Sequence, residues 1–494
     1  MRIPRLIWRH FEGGAYLPME AGTLDGPVHE LPAPRRLVVP LAQHEGRPAR
    51  PLVEPGQTLE AGTLIGRTDG DHGPGIHAPL AGRVTAITRV DTALATDVLA
   101  IEIAVSEYCS QHTSSLPDQA GKMPTPQQSR PALSGGRASS PPYGSKRETP
   151  GLERAESPPP PTCSTSGLHD ANRKDGPVKR NPTELANAAD HAGVIDLARP
   201  FTPLGEMIRE AASSRPDHLI INGLRAEPMV TANLRVLRDH LEEILNAGMV
   251  LQAALGIKRI WLAVDRTARR FVRQCRSAVA GTPVRILALA NKYPQAIPTL
   301  LAWTVTGRET PPGRSPLQAG VMVLDAVALA DFWRALQHGS PVISRVVTVD
   351  GPAVLRPGHY RIMVGTTYGE VVERAGLKAP LVRLIDGGPL TGRCVESLEA
   401  VVTKATTTIL LIDHDGDRIP TPGPCIRCGE CQQVCPVGLD PRKLLDASER
   451  NRPQDVVRLH PHACVECGLC SYLCPAELPL AEAAVKLKHY SARS

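Results

Sequence analysis

Two cysteine runs near the C-terminal end constrain this chain more than any other feature. Cys425, Cys428, Cys431 and Cys435 with Pro436 read C-x2-C-x2-C-x3-C-P, and Cys464, Cys467, Cys470 and Cys474 with Pro475 repeat it. Three thiolates separated by two-residue gaps converge on one polynuclear centre, while the fourth reaches across to its neighbour. The pattern therefore predicts two 4Fe-4S clusters. One is held by Cys425, Cys428, Cys431 and Cys474, the other by Cys464, Cys467, Cys470 and Cys435. Proline after each fourth cysteine ends the loop. Zinc also takes C-x2-C pairs, but it needs four ligands in two pairs, and each run supplies a third and a fourth cysteine beyond that. Two adjacent one-electron centres form a wire with no chemistry of its own. Among the remainder of the 12 cysteines, Cys109 and Cys163 lie in or beside a Pro/Ser-rich stretch, and Cys275 and Cys394 read as small buried residues.

Cysteines grouped for metal rather than spread for disulfides imply a reducing compartment. With 494 residues the chain is long enough for about three domains. Apolar residues at 42% and charged residues at 21% suit a water-soluble globular fold, and no apolar run approaches the ~20 residues that span a bilayer. Any membrane association is thus expected to be peripheral. The opening "MRIPRLIWRHFEGG" lacks the apolar stretch and cleavage site of a secretory signal, so a cytosolic location is expected. A net charge of +6, not gathered into a stripe with aromatics, argues against nucleic acid as a partner.

Composition also marks the modules. Residues 106–182 are rich in Pro, Ser, Gly and Thr, cannot bury enough apolar area to offset ordering entropy, and read as a disordered linker. Before it, residues 1–105 contain "VEPGQTLEAGTLIGRTDG" and "IHAPLAGRVTAI", short alternating strands broken by Gly and Pro. Two such half-motifs suggest a barrel-sandwich hybrid resembling lipoyl and biotinyl domains, without the lysine those domains modify; His77 reads as a structural histidine at a turn. Across residues 183–340 strand-like runs alternate with helical ones, the order of a parallel, Rossmann-like α/β sheet. Leu234, Leu237, Leu241, Ile244, Leu245 and Leu251 recur at helical spacing and predict one long amphipathic helix. Residues 341–413 turn to short strands, as in a β-grasp (SLBB) module, and residues 414–494 form an α-helical dicluster segment of ferredoxin type. The closing "AEAAVKLKHY" reads as a helix packed back over the clusters, with a basic membrane-surface helix as the alternative.

The order of modules, with "FEGGAYLP" from Phe11, "GIHAPLAGRV" from Gly75, "NKYPQ" from Asn291, "VTGRETP" from Val305 and "DGGPLTG" from Asp386, resembles the RnfC family of the Rnf (or Rsx) electron transport complex. The resemblance covers nearly the whole chain except the linker. It implies an oxidoreductase subunit peripheral to the inner membrane, on its cytoplasmic face, exchanging electrons with NADH through FMN in the α/β domain. Its clusters would pass them to or from a ferredoxin-side carrier, among the other subunits of an ion-translocating complex. It also implies FMN-region roles for Asn222, Glu227 and Lys292, which match the family.

Other positions in that region depart from the family. The glycine-rich loop expected before the "NG" strand, where backbone amides approach the flavin phosphate with no Cβ between, reads "HAGVIDLARPFTP", with Ile195, Leu197 and Arg199 in place of glycines. Arg225 replaces an acidic residue, and Ala296 and Ile297 stand where two glycines are expected. Three departures in one pocket predict a lost or reshaped FMN and NADH site. Two further readings stay open: an iron-sulfur adaptor without flavin, and a flavin-dependent reductase free of the membrane. Local alternatives are equally plain: Asn222 shaping a turn, Glu227 capping the next helix and Lys292 as a solvated charge.

Overall fold

The computed structural model describes residues 11–17, 26–44, 46–68, 72–106, 180–198, 200–414, 416, 420–450, 456 and 458–491. Cys109, Cys163, Arg199 and nearly all of the expected linker lie outside them.

A short strand, β1 (Val28–Glu30), precedes the first module, which contains β2 (Arg36–Pro40), β3 (Arg50–Pro51), β4 (Thr58–Leu59), β5 (Leu64–Arg67), β6 (Ile76–His77), β7 (Gly82–Val90) and β8 (Val98–Val105). They make two sheets, ordered β2-β8-β7-β4 and β3-β5-β6, as a barrel-sandwich hybrid requires. Inward residues such as Leu37, Val39, Ile65, Ile76, Ile101 and Ile103 fill the space between. His77 is buried here, and burial first, then the charge of Lys404, pushes its pKa down to about 3, so it stays neutral.

The α/β module carries β9 (His218–Gly223), β10 (Arg259–Asp265), β11 (Val284–Leu289) and β12 (Val321–Asp325), all parallel, in the order β11-β10-β9-β12. Every residue of β9 and β12 is buried, as strands covered on both faces must be. Strand order reverses between β9 and β12, which makes a topological switch point at the C-terminal ends of these two strands, where Asn222 lies opposite Asp325. The single long helix expected after β9 is two, Ala232–Asp239 and Leu241–Leu255, broken at His240, whose backbone leaves helical geometry at φ −121 and ψ 29. Leu237, Leu241, Ile244, Leu245 and Leu251 still face the core, because the break falls between turns rather than across the apolar stripe.

The β-grasp module comprises β13 (Ser344–Asp350), β14 (Gly358–Met363), β15 (Arg383–Asp386), β16 (Arg393–Val395) and β17 (Thr408–Ile412), with a helix at Tyr368–Ala375 closed by a Thr367/Glu370 capping box. Its mixed sheet runs β1-β14-β13-β17-β15-β16, so β1, ahead of the barrel-sandwich strands in the chain, pairs in this module instead. Three modules meet at Lys404, 1% exposed, whose Nζ donates to the carbonyls of Gly75 (2.8 Å) and Gly193 (2.9 Å).

The cysteine-rich segment has two short helices, Glu430–Gln433 and Leu469–Tyr472, and two longer ones, Pro441–Glu449 and Leu480–Ser491. The last packs back over the cysteine loops: Leu480 and Ala483 cover Cys431, Cys470 and Cys474, while Ala484 and Leu487 join Leu439 and Leu444 beside Cys435 and Cys464.

Candidate iron-sulfur and switch-point sites

Each cysteine run folds the same way because each needs the same backbone. Arg427 (φ 57) and Gly429 (φ 80) flank Cys428, and Glu466 (φ 57) and Gly468 (φ 77) flank Cys467. Left-handed residues at these points curl the loop so that backbone N–H groups turn inward, the arrangement that stabilises a negatively charged centre. The residues before the cysteines adopt that conformation without being glycine, a cost of roughly 1 kcal/mol each. Leu439 N–H donates to Cys435 Sγ at 3.3 Å and Glu466 N–H to Cys464 Sγ at 3.4 Å.

Cys464, Cys467 and Cys470 from the second run line one pocket together with Cys435 from the first, among Val437, Leu439, Leu444 and Leu469. These four are the cysteines that the spacing groups together, one from the first run and three from the second. Cys431, Cys470 and Cys474 pack against Leu445 and Leu480, and Cys431 lies within the electrostatic reach of Cys474 and Cys428. Arg442 faces Cys425 and also pairs with Asp446. The two sets differ in exposure: Cys428 is exposed, whereas Cys467 is buried.

Burial, followed by the neighbouring thiols, pushes Cys467 and Cys470 up to about 12; burial and then Glu466 raise Cys464, and burial and then Asp440 raise Cys431. Such thiols hold their protons at neutral pH until a cation offsets the desolvation, which iron does on binding. Four thiols around an apolar pocket, with backbone donors to sulfur, fit a 4Fe-4S cluster. Of the remaining cysteines, Cys275 is buried as expected, but Cys394 is exposed, because β16 lies at the edge of its sheet.

At the switch point the three family-matching residues are engaged in joints between segments. Asn222 Nδ2 donates to Ala296 O (2.8 Å), and its Oδ1 accepts from Leu224 N–H, so it shapes the turn after β9 and ties it to the 292–297 loop. Glu227 does not cap the following helix. Its carboxylate accepts from Leu390 N–H (2.8 Å), Thr391 N–H (3.2 Å) and the Thr391 hydroxyl, gripping the "DGGPLTG" loop of the β-grasp module. Lys292 is not a solvated charge either: its Nζ donates to Phe11 O (2.7 Å) and lies 4.4 Å from the Phe11 ring centroid.

Ile195 and Leu197 belong to the α/β core. Asp196 between them is buried, accepting from Asp325 N–H (2.8 Å) and Ala198 N–H (2.9 Å). Burial raises Asp196 to about 6; burial and then Asp196 itself raise Asp325 to about 7. Side chains packed into the core and two buried acids do not fit a flavin phosphate, which needs open amides and positive potential. No sequence period marked Asp196 and Asp325, which are 129 residues apart and paired only through the fold.

Three family models match in the order of the modules: the RnfC barrel sandwich hybrid domain over residues 9–107, the Nuo51 FMN-binding domain over 190–332 and a 4Fe-4S dicluster domain over 424–478. The C subunit of the ion-translocating oxidoreductase complex of Rhodobacter capsulatus is 28% identical, covering 84% of this chain and 70% of that one. Its counterpart in Pseudomonas aeruginosa is 28% identical over 88% of this chain, which spans only 49% of its length. The C subunit of the proton-translocating ferredoxin:NAD(+) oxidoreductase complex of Clostridium ljungdahlii is 25% identical, covering 88% and 84%. A barrel-sandwich hybrid, a flavin-type α/β domain and a dicluster segment in this order, with relatives of one kind along most of the chain, make this an RnfC-like protein.

Proposed function

We propose that the chain is the electron-relay subunit of an Rnf-like ion-translocating oxidoreductase complex. Cys425, Cys428, Cys431 and Cys474 hold one 4Fe-4S cluster, and Cys464, Cys467, Cys470 and Cys435 hold the second. The observation that carries this reading is the pocket lined by three thiols of one run and the fourth of the other. When bound, such clusters supply reversible one-electron transfer at low potential. The chain's own residues hold them: the left-handed turns aim amides at sulfur, and the helix Leu480–Ser491 shields them from water.

Electrons exchange with an NADH/flavin side and with a ferredoxin-like carrier. Ile195, Leu197 and the Asp196/Asp325 pair favour a flavin on another polypeptide over one in this α/β domain. No described helix is long and apolar enough to cross a membrane. The proposed position, peripheral on the cytoplasmic face of the inner membrane, is therefore reached through partner subunits.

The test is the flavin-to-iron ratio of anaerobically purified protein, by visible absorption before and after acid release. The expected result is about eight irons per chain with no FMN. Eight irons with one FMN would overturn the flavin-free reading and favour NADH oxidation by this chain. Absence of iron would overturn the relay.

A further inference from the structure

We infer that Tyr293 is a positioning residue for the second cluster, fixing the peptide that follows Cys467 so that its N–H serves the sulfur side of the loop. The inference rests on the ligation proposed above, because it concerns the shell of that same site.

Tyr293 stands in the α/β module, 3% exposed, at the loop after β11. Its hydroxyl donates to the carbonyl of Cys467 at 2.6 Å across 174 residues of sequence. The ring is held in turn. Tyr293 N–H donates to Ala15 O (2.8 Å), Ala15 N–H returns a bond to Tyr293 O (2.9 Å), and Gly14 N–H donates to Val434 O (2.8 Å), beside Cys435. The strap is glycine by necessity: a Cβ on Gly13 would lie 2.6 Å from Cys435 O, and Gly13 and Gly14 both have positive φ, at 66 and 73. On the opposite side, Gly468 backs onto Leu390 O, which a Cβ would meet at 2.7 Å. Thus both runs that supply the second cluster, at Cys435 and at Cys467, are gripped by other modules. The first cluster's Cys428 is exposed, with Ile426 at 66% exposure beside it.

Geometry then assigns an electronic consequence. In a trans peptide the carbonyl and the N–H point in opposite directions. With the Cys467 carbonyl turned to Tyr293, the Gly468 N–H of the same peptide points the opposite way, and Cys467 and Gly468 both line the pocket. A hydrogen bond at the carbonyl polarises the whole peptide and strengthens its N–H as a donor. Donors directed at cluster sulfurs favour the reduced, more negative state and raise its potential. Removing the hydroxyl therefore makes the second cluster harder to reduce and leaves the first alone.

The experiment is an EPR-monitored dithionite titration of the anaerobically purified full chain, wild type against Tyr293→Phe, with iron content measured alongside. Two couples are expected. One should move to lower potential, its reduced-to-oxidised ratio at fixed potential falling roughly three- to tenfold, where tenfold is about 59 mV for one electron. The other should stay. Replacing Tyr293 with difluorotyrosine, similar in shape and a stronger hydrogen-bond donor, should move the same couple upward, and this variant decides the matter if Tyr293→Phe loses iron. Equal shifts of both couples, or no shift in either variant, would overturn the positioning role. A wild-type protein without two reducible clusters would overturn the proposed function instead.

Discussion

Cys428 and Cys467 occupy corresponding positions in the two runs, yet one is exposed and the other is 8% exposed. Local backbone is the same at both, with a left-handed residue before and a left-handed glycine after. Packing around them is not, since Cys467 meets Tyr293, Val434 and Leu469. Replacement of either by Ser is expected to remove one cluster, about four of about eight irons. Iron analysis checks this, and unchanged iron in both variants would sink the ligand assignment. The buried site should also release iron more slowly to a chelator. The proposed ligand set was read from the sequence because spacing alone brings sulfurs together. The partner of Cys467 was not, because the bond from Tyr293 spans 174 residues.

At the scale of the element, the helix Leu480–Ser491 shows how little of a role is written in composition. Its lysines and apolar residues suited either a membrane surface or a lid, and tertiary contact decides for the lid: Leu480, Ala483, Ala484 and Leu487 are buried over the cysteine loops. Lys488 turns inward, its Nζ donating to Cys464 O (2.9 Å) and pairing with Glu466 (2.6 Å). Leu487→Ala is expected to destabilise this segment by about 2–4 kcal/mol through lost burial and a residual cavity. A denaturant titration followed by the clusters' visible absorption reads this directly; an unchanged midpoint would show that the helix does not close the site. The split between Ala232–Asp239 and Leu241–Leu255 teaches a related point. Apolar periodicity reports which side faces the core, and it runs on unbroken through a one-residue kink.

For the whole molecule the central joint is Lys404, where carbonyls from the barrel-sandwich module and the α/β module share one ammonium. Its main-chain carbonyl accepts from Arg345 Nε (2.6 Å), and Arg345 is ion-paired with Asp331. Burial first, then the charge of Arg345, lowers the Lys404 pKa from 10.5 to about 7. The unfolded chain therefore binds this proton more tightly than the folded one between these values. Linkage then requires the joint to gain stability as pH rises from about 7 toward 10.5, and to carry the full desolvation cost below about 7. Denaturation midpoints of wild type and Lys404→Met across that range should diverge, with the wild type rising relative to the variant. Parallel curves would show that the lysine keeps its ordinary proton affinity.

Spacing, period and composition were enough for the fold classes of the modules, the parallel sheet and the grouping of the cysteines proposed as ligands, because each depends on residues close in sequence or on a pattern repeated along it. The flavin region was only half legible. Glycines missing at Ile195 and Leu197 signalled a changed loop, and Asn222, Glu227 and Lys292 matched a family whose members use this region for a flavin. Only the folded chain shows those three side chains bonded to Ala296, Leu390, Thr391 and Phe11. A side chain's chemistry is set by its residue type, but its partner is set by which distant segment the fold brings within hydrogen-bonding distance. That choice is made by the packing of whole modules and leaves no period in the sequence to read.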